Sequence, residues 1–144
     1  MVNQQVQFDH SFLGKRFLGN SYKITVEHLR EFCAVVGETN PIYLGTSKAT
    51  IVPPIFLALL RRHEKRPEID LHFMHIRRLP GGESAEIFED VHVGDTISAA
   101  GFLREIYSKK GRSGTMVFVV WETEFQNQHG RRVASFRDSQ VFIQ

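Results

Sequence analysis

The chain has 144 residues, 42% of them hydrophobic, and a formal net charge of +2, a size and apolar content that fit one domain with its own core. Acidic and basic residues interleave, which argues against a nucleic-acid-binding surface, and no apolar run approaches the roughly 18–20 residues of a membrane span. Cys33 is the only cysteine, which excludes an internal disulfide and a cysteine-based metal site; the start of the chain has no secretion-signal pattern, so a cytoplasmic protein is expected.

Val26, Leu29, Phe32, Cys33 and Val36 recur at helical spacing and predict a first helix, with Thr25 as N-cap and Gly37 as stop. The segment 38–53 has no period and contains Asn40-Pro41 and Pro53-Pro54, so it reads as an ordered loop. A second helix is predicted from Pro54 to about Lys65, because proline suits a first helical turn where its missing N–H would have no partner. That helix is apolar nearly all round as far as Leu60, so its first half should be buried.

From residue 70 the pattern turns to β. Strands are predicted near 72–78, 84–90, 95–107, 114–126 and 131–143, parted by turn signals at Pro80-Gly81-Gly82, Val93-Gly94-Asp95, Lys109-Lys110-Gly111 and Asn127-Gln128-His129-Gly130. In the fourth run Val117, Val119, Trp121, Thr123 and Phe125 share one face. Met116, Phe118 and Val120 occupy much of the other, which turns charged at Glu122 and Glu124. Such a strand belongs in the middle of a sheet covered on both sides. A buried helix followed by an antiparallel meander gives an α+β fold, with residues 1–144 as one domain and the sheet wrapped around the helix. Twelve phenylalanines exceed the needs of a small core and point to an apolar groove or a subunit interface.

Several short motifs follow one another in a telling order. Gly14-Lys15-Arg16-Phe17 precedes Tyr22-Lys23-Ile24-Thr25. After the first helix come Gly37-Glu38-Thr39-Asn40-Pro41-Ile42-Tyr43 and Pro53-Pro54-Ile55-Phe56, then Val93-Gly94-Asp95-Thr96-Ile97, Gly111 to Phe118, and Glu122 to Gly130. In this order the chain resembles the MaoC-like (R)-specific enoyl-CoA hydratases and dehydratases. The likeness is to their N-terminal MaoC type, which includes the non-catalytic subunits of mycobacterial (3R)-hydroxyacyl-ACP dehydratases. The resemblance implies a hot-dog fold, an antiparallel sheet around a central helix. One departure is visible: nine residues separate Tyr43 from Pro53, where the family has a longer loop, and this bears on the shape of an acyl tunnel.

In catalytic relatives the turn after the first helix reads Asp-x-Asn-Pro-x-His, and its Asp and His activate the water. Here Asn40 and Pro41 keep the frame, Glu38 stands at the Asp position and Tyr43 at the His position. Hydration needs a base for water, an acid for the α-carbon and a donor for the enolate-like oxyanion. Glu38 is the one group able to act as a base, but its extra methylene displaces the carboxylate by about a bond length, and about 1 Å of misplacement costs on the order of 100-fold. Tyrosine, with an ordinary pKa near 10, is a poor proton relay at neutral pH. The relatives' oxyanion donor is a backbone N–H opening the central helix; by motif Pro53-Pro54 occupies that place, and proline has no N–H. No catalytic residue is therefore expected, with Glu38 and Tyr43 as degenerate positions.

Asn40, Tyr43, Pro53, Pro54 and Phe56 are the residues expected to line a substrate groove. Each also has a structural reading: Asn40-Pro41 as a cap and turn, Glu38 as solvated or bonded to its own loop, Tyr43 as core. His72 and His75 beside Asp70 do not make a metal site, since on a strand they point to opposite faces. Arg61-Arg62-His63-Glu64-Lys65-Arg66 reads first as a solvated helix end and second as a CoA-phosphate contact. Lys109-Lys110-Gly111-Arg112 reads in the same way as a solvated hairpin tip.

The function expected is that of a hot-dog subunit of an (R)-specific enoyl-CoA or enoyl-ACP hydratase (3-hydroxyacyl dehydratase). It would itself be non-catalytic, and would pair with a catalytic MaoC-like subunit as a heterodimer or heterotetramer, shaping the acyl groove. Two alternatives stay open: an active homodimeric hydratase or thioesterase using Glu38, and an acyl-CoA-binding module without turnover. No cofactor is implied, because hydration needs only water.

Overall fold

The computed structural model describes residues 8–46, 50–61, 66–72, 74, 77–112 and 114–144. Strand β1 (Arg16–Lys23) leads into helix α1 (Val26–Val36). A 3-10 turn (Pro41–Tyr43) follows, and a second (Pro54–Phe56) runs into the short helix α2 (Leu57–Leu60). Four strands complete the chain: β2 (Arg77–Ile87), β3 (Thr96–Gly111), β4 (Gly114–Gln126) and β5 (Arg132–Ile143).

α1 has the predicted ends. The Thr25 side chain accepts the His28 N–H, and Gly37 takes the left-handed conformation at φ 70°, where a glycine is free of the Cβ penalty. Leu29, Phe32 and Cys33 are buried, whereas Val36, predicted on the same face, is 54% exposed. The second helix begins at Pro54 as expected and buries Phe56, Leu57 and Leu60. Arg62, His63, Glu64 and Lys65, its expected C-terminal part, lie outside the described residues.

The strands form one antiparallel sheet in the order β1-β3-β4-β5-β2. β4 is central, as its two apolar faces require. Its predicted inner face is closed: Val117, Val119, Trp121, Thr123 and Phe125 are all under 5% exposed. Coverage of its other face is corrected by the structure. Met116, Phe118 and Val120 are only half-buried, because both core clusters lie on the inner face.

Two further expectations are corrected. The runs 72–78 and 84–90 are not strands parted by a turn, since residues 77–87 form one strand along β5. Pro80-Gly81-Gly82 is a bulge in it, where the register shifts between Pro80 and Glu83. The Gly82 N–H is met at 2.8 Å by the Ser139 hydroxyl, and a side chain on Gly81 would collide with that hydroxyl, so glycine lets the backbone close on β5. Residues 73, 75 and 76 of the first run lie outside the described residues. β1 was not predicted as a strand at all; Gly19-Asn20 interrupts its pattern, and the irregularity appears as a register shift between Leu18 and Ser21.

The core has two parts. One joins α1, α2 and the Ile97/Phe125/Ala134 end of the sheet, with Phe32 and Phe56 meeting edge-on at 5.3 Å. The other gathers Leu71, Leu103, Ile106, Val117, Val119 and Trp121, against which Phe17 packs. Gly101 makes that contact possible: a Cβ there would stand 2.4 Å from the Phe17 ring, which instead meets Trp121 edge-on at 5.8 Å. The segment after α2 is tied to the inner face by Asp138, which accepts two bonds of 2.7 Å from Arg66 and one of 3.3 Å from Arg61. A two-pronged arginine–carboxylate pair of this kind fixes geometry as well as adding energy.

Candidate functional site: the turn after the first helix

The turn 37–43 is built by its own hydrogen bonds. Gly37 reverses the chain, and the Glu38 N–H returns to the Cys33 carbonyl at 2.9 Å. The Glu38 carboxylate then folds back: its Oε1 accepts the N–H groups of Thr39 at 2.9 Å and Asn40 at 2.8 Å. Asn40 repeats the device one step on, its Oδ1 accepting the Ile42 N–H at 3.2 Å and so capping the 3-10 turn that Pro41 opens. The Tyr43 N–H closes on the Asn40 carbonyl at 3.0 Å.

This geometry places each residue of the turn. Glu38, half-buried, has one carboxylate oxygen committed to its own backbone, as the loop-bonded reading expects. Asn40 is exposed and acts as a cap. Tyr43 is half-buried against the first core cluster, and its carbonyl accepts a weak bond from the Cys33 thiol at 3.9 Å. Burial first, and the Glu38 carboxylate second, push the Cys33 thiol above its ordinary range, so this lone cysteine is an inert core side chain.

At the helix opening Pro53 is buried and Pro54 exposed. The first N–H with a bond there is that of Phe56, which goes to the Pro53 carbonyl at 2.9 Å. Phe56 itself is 5% exposed and belongs to the core. The fold thus gathers Tyr43 and Phe56 onto one core cluster, while Asn40 and Pro54 remain at the surface.

A cavity of about 530 Å³ lies elsewhere, between Arg66–Leu71 and the sheet residues Arg78, Val119, Trp121, Gln140 and Phe142. None of the five expected groove residues lines it. Its wall mixes both charge signs over an apolar floor, and Arg66 in it is already held by Asp138.

Other candidates resolve as follows. The His72 backbone is in the left-handed region at φ 45°, not in a strand, and its ring lies 3.2 Å from Asp70. His75 lies outside the described residues, and among the described residues no group of three metal-binding side chains converges. The solvated-end reading of the 61–66 run is corrected for Arg61 and Arg66: their side chains are only 17% and 25% exposed and bind Asp138, which residue spacing could not reveal across more than seventy positions. Lys109 and Lys110 end β3 at an exposed hairpin tip, as read.

Sequence reasoning missed a polar network on the outer face of the sheet. Glu122, 2% exposed, accepts the Ser135 hydroxyl at 2.5 Å, Arg104 at 2.7 Å and Arg137 at 3.0 Å. Beside it Glu124 pairs with Arg16 and Arg132. The signal was the charge appearing mid-strand at Glu122 and Glu124.

A family match settles the kinship. Residues 11–136 match the family described as FAS1-like, dehydratase domain region. The chain belongs to this family. Its fold is shared with the C-terminally truncated HadBC (3R-hydroxyacyl-ACP dehydratase) complex from Mycobacterium tuberculosis: 16% identity, 91% of this chain and 97% of that one covered, TM-score 0.66. The ChsH1-ChsH2 complex from the same organism aligns at 15% identity over 91% of this chain and 88% of that one, TM-score 0.70. The unliganded R-hydratase PhaJ1 from Pseudomonas aeruginosa aligns at 17% over 91% and 81%, TM-score 0.62. No relative is found among curated protein sequences. These likenesses show the α+β hot-dog fold. No helix of the described residues is long and apolar enough to cross a membrane.

Proposed function

We propose that this chain, as a single hot-dog domain acting in the cytoplasm, is a non-catalytic subunit of an (R)-specific enoyl-thioester hydratase (3-hydroxyacyl dehydratase). It pairs with a catalytic MaoC-like subunit and shapes the groove for an acyl group carried on CoA or acyl carrier protein. The observation that carries this reading is the double acceptance by Glu38 Oε1 of the Thr39 and Asn40 N–H groups, which makes the one potential base a fastener of its turn. Tyr43 offers no imidazole beside it, and Pro53-Pro54 offers no N–H where an oxyanion would need one. Asn40, Tyr43, Pro53, Pro54 and Phe56 are the positions proposed to border the acyl group once a partner closes the groove.

Pairing is supported by the edge of the sheet. Every residue of β2 is exposed and, among the described residues, the strand pairs with β5 alone, so a row of backbone donors and acceptors stays open to a strand of another chain. Leu79, Ile87 and Phe88 stand 44%, 41% and 44% exposed along it. The test is co-expression with a MaoC-like subunit that carries the intact Asp-x-Asn-Pro-x-His turn. Glu38→Gln in this chain should leave enoyl-CoA hydration by the pair unchanged, and replacement of the turn aspartate in the other subunit should abolish it. Loss of activity with Glu38→Gln would favour the active-hydratase reading, and tight acyl-CoA binding without turnover in any combination would favour a binding module.

A further inference from the structure

On the outer face of the sheet the ladder sets Tyr107, Phe118, Val141 and Leu79 side by side across four strands. This apolar row belongs to neither core cluster. Tyr107 and Phe118 are half-exposed and stack in parallel at 4.9 Å, and Leu79 is 44% exposed. Flanking Tyr107 on the same face of β3, two residues away on either side, are Glu105 and Lys109. Both are exposed, and among the described residues neither makes an ion pair; the Lys109 ammonium rests 5.4 and 5.5 Å over the two stacked rings.

We propose that this face docks on the same face of a second copy of the chain, about a two-fold axis running along the Tyr107–Phe118–Val141 row. Such an axis reverses the strand direction. Tyr107 and Phe118 then meet their own counterparts, and each Lys109 stands over Glu105 of the second copy. The contact is isologous, so one row supplies two identical charge pairs around an aromatic centre.

Charge and area both fit this occupant. The carboxylates of Glu122 and Glu124 already pair within the sheet with arginines, so the opposite charges left on either side of the aromatic row are Glu105 and Lys109, which the two-fold axis brings face to face. Four strands at about 4.8 Å spacing, each about 10–12 residues long, offer roughly 650–750 Å², close to the ~800 Å² per partner of a standard interface. Sheets stacked face to face also lie about 10 Å apart, which these side chains fill. The surface lies on the face of the sheet and shares Leu79 with the β2 edge strand, so an edge-paired assembly would associate through it into a pair of pairs.

The test is sedimentation equilibrium of the wild type, Lys109→Glu, Glu105→Lys, the double variant, and an equimolar mixture of the two single variants. The wild type should reach twice the mass of its building unit. Each single change should weaken that step about tenfold by setting like charges opposite one another, whereas the double variant and the mixture should both restore it. Both positions are exposed, and a thermal melt checks that each variant folds. A wild type that never doubles, single variants that associate like wild type, or a mixture that fails to recover overturns the proposal. Loss of doubling only on substitution along the β2 edge also overturns it, and leaves the proposed function standing.

Discussion

Glu38 and Glu122 are two carboxylates that each accept hydrogen bonds inside the fold. Glu38 fastens the turn after α1 by accepting two backbone N–H groups. Glu38→Ala should therefore lower stability by about 1 kcal/mol, the usual cost of a lost capping acceptor, read as a shifted urea midpoint; an unchanged midpoint would deny it that role. Glu122 is buried among Ser135, Arg104 and Arg137. Desolvation, its largest influence, pushes the carboxyl up, but the Ser135 and Arg137 hydrogen bonds and the Arg104 charge outweigh it and hold the group below the ordinary glutamate value of 4.5. A folded-state pKa below the unfolded one means the stabilisation is fully present above 4.5 and is lost as pH falls through the folded value. Glu122→Gln should be less stable than wild type at pH 7, by roughly 1–3 kcal/mol. The gap should narrow on acidification below 4.5, as urea melts at both pH values will show.

Among the elements, α1 was the most legible in the sequence because its signals are local: an apolar stripe, a threonine cap and a glycine stop all lie within thirteen residues. β4 was legible for a similar reason, since alternation alone marks it. The β2 bulge was not, because Pro80-Gly81-Gly82 carries the residues of a turn, and only the Ser139 hydroxyl on a distant strand tells bulge from turn. β1 stayed hidden behind Gly19-Asn20. The clamp of Arg61 and Arg66 on Asp138 was equally invisible, as helix-end arginines look the same whether solvated or paired across the fold. β4 also carries a prediction of its own. The hydroxyl of Thr123 is buried without a hydrogen-bond partner, a condition that costs on the order of 1–3 kcal/mol. Thr123→Val should raise stability by about 1 kcal/mol, and a lowered melting temperature would show that the hydroxyl is satisfied.

At the scale of the molecule, the sequence specified the fold more fully than the site. The motifs from Gly14 to Gly130 gave the family and its architecture, because the spacing of helix, turn and strands is itself the fold. The site was legible as a turn frame, Asn40-Pro41 between Glu38 and Tyr43, followed by Pro53-Pro54 ahead of the second helix. How these residues are used depended on rotamers and burial, which spacing does not encode. The outer sheet face was misread as covered because an apolar pattern reports that a surface is hidden, and does not say whether its cover comes from the same chain.

The central claim, that this chain lacks catalysis of its own, is tested most directly by the rate of trans-2-enoyl-CoA hydration by the purified chain. It should match the uncatalysed background, and the co-expressed pair with an intact MaoC-like subunit should turn over. Hydration by the chain alone that disappears in Glu38→Gln would contradict the account.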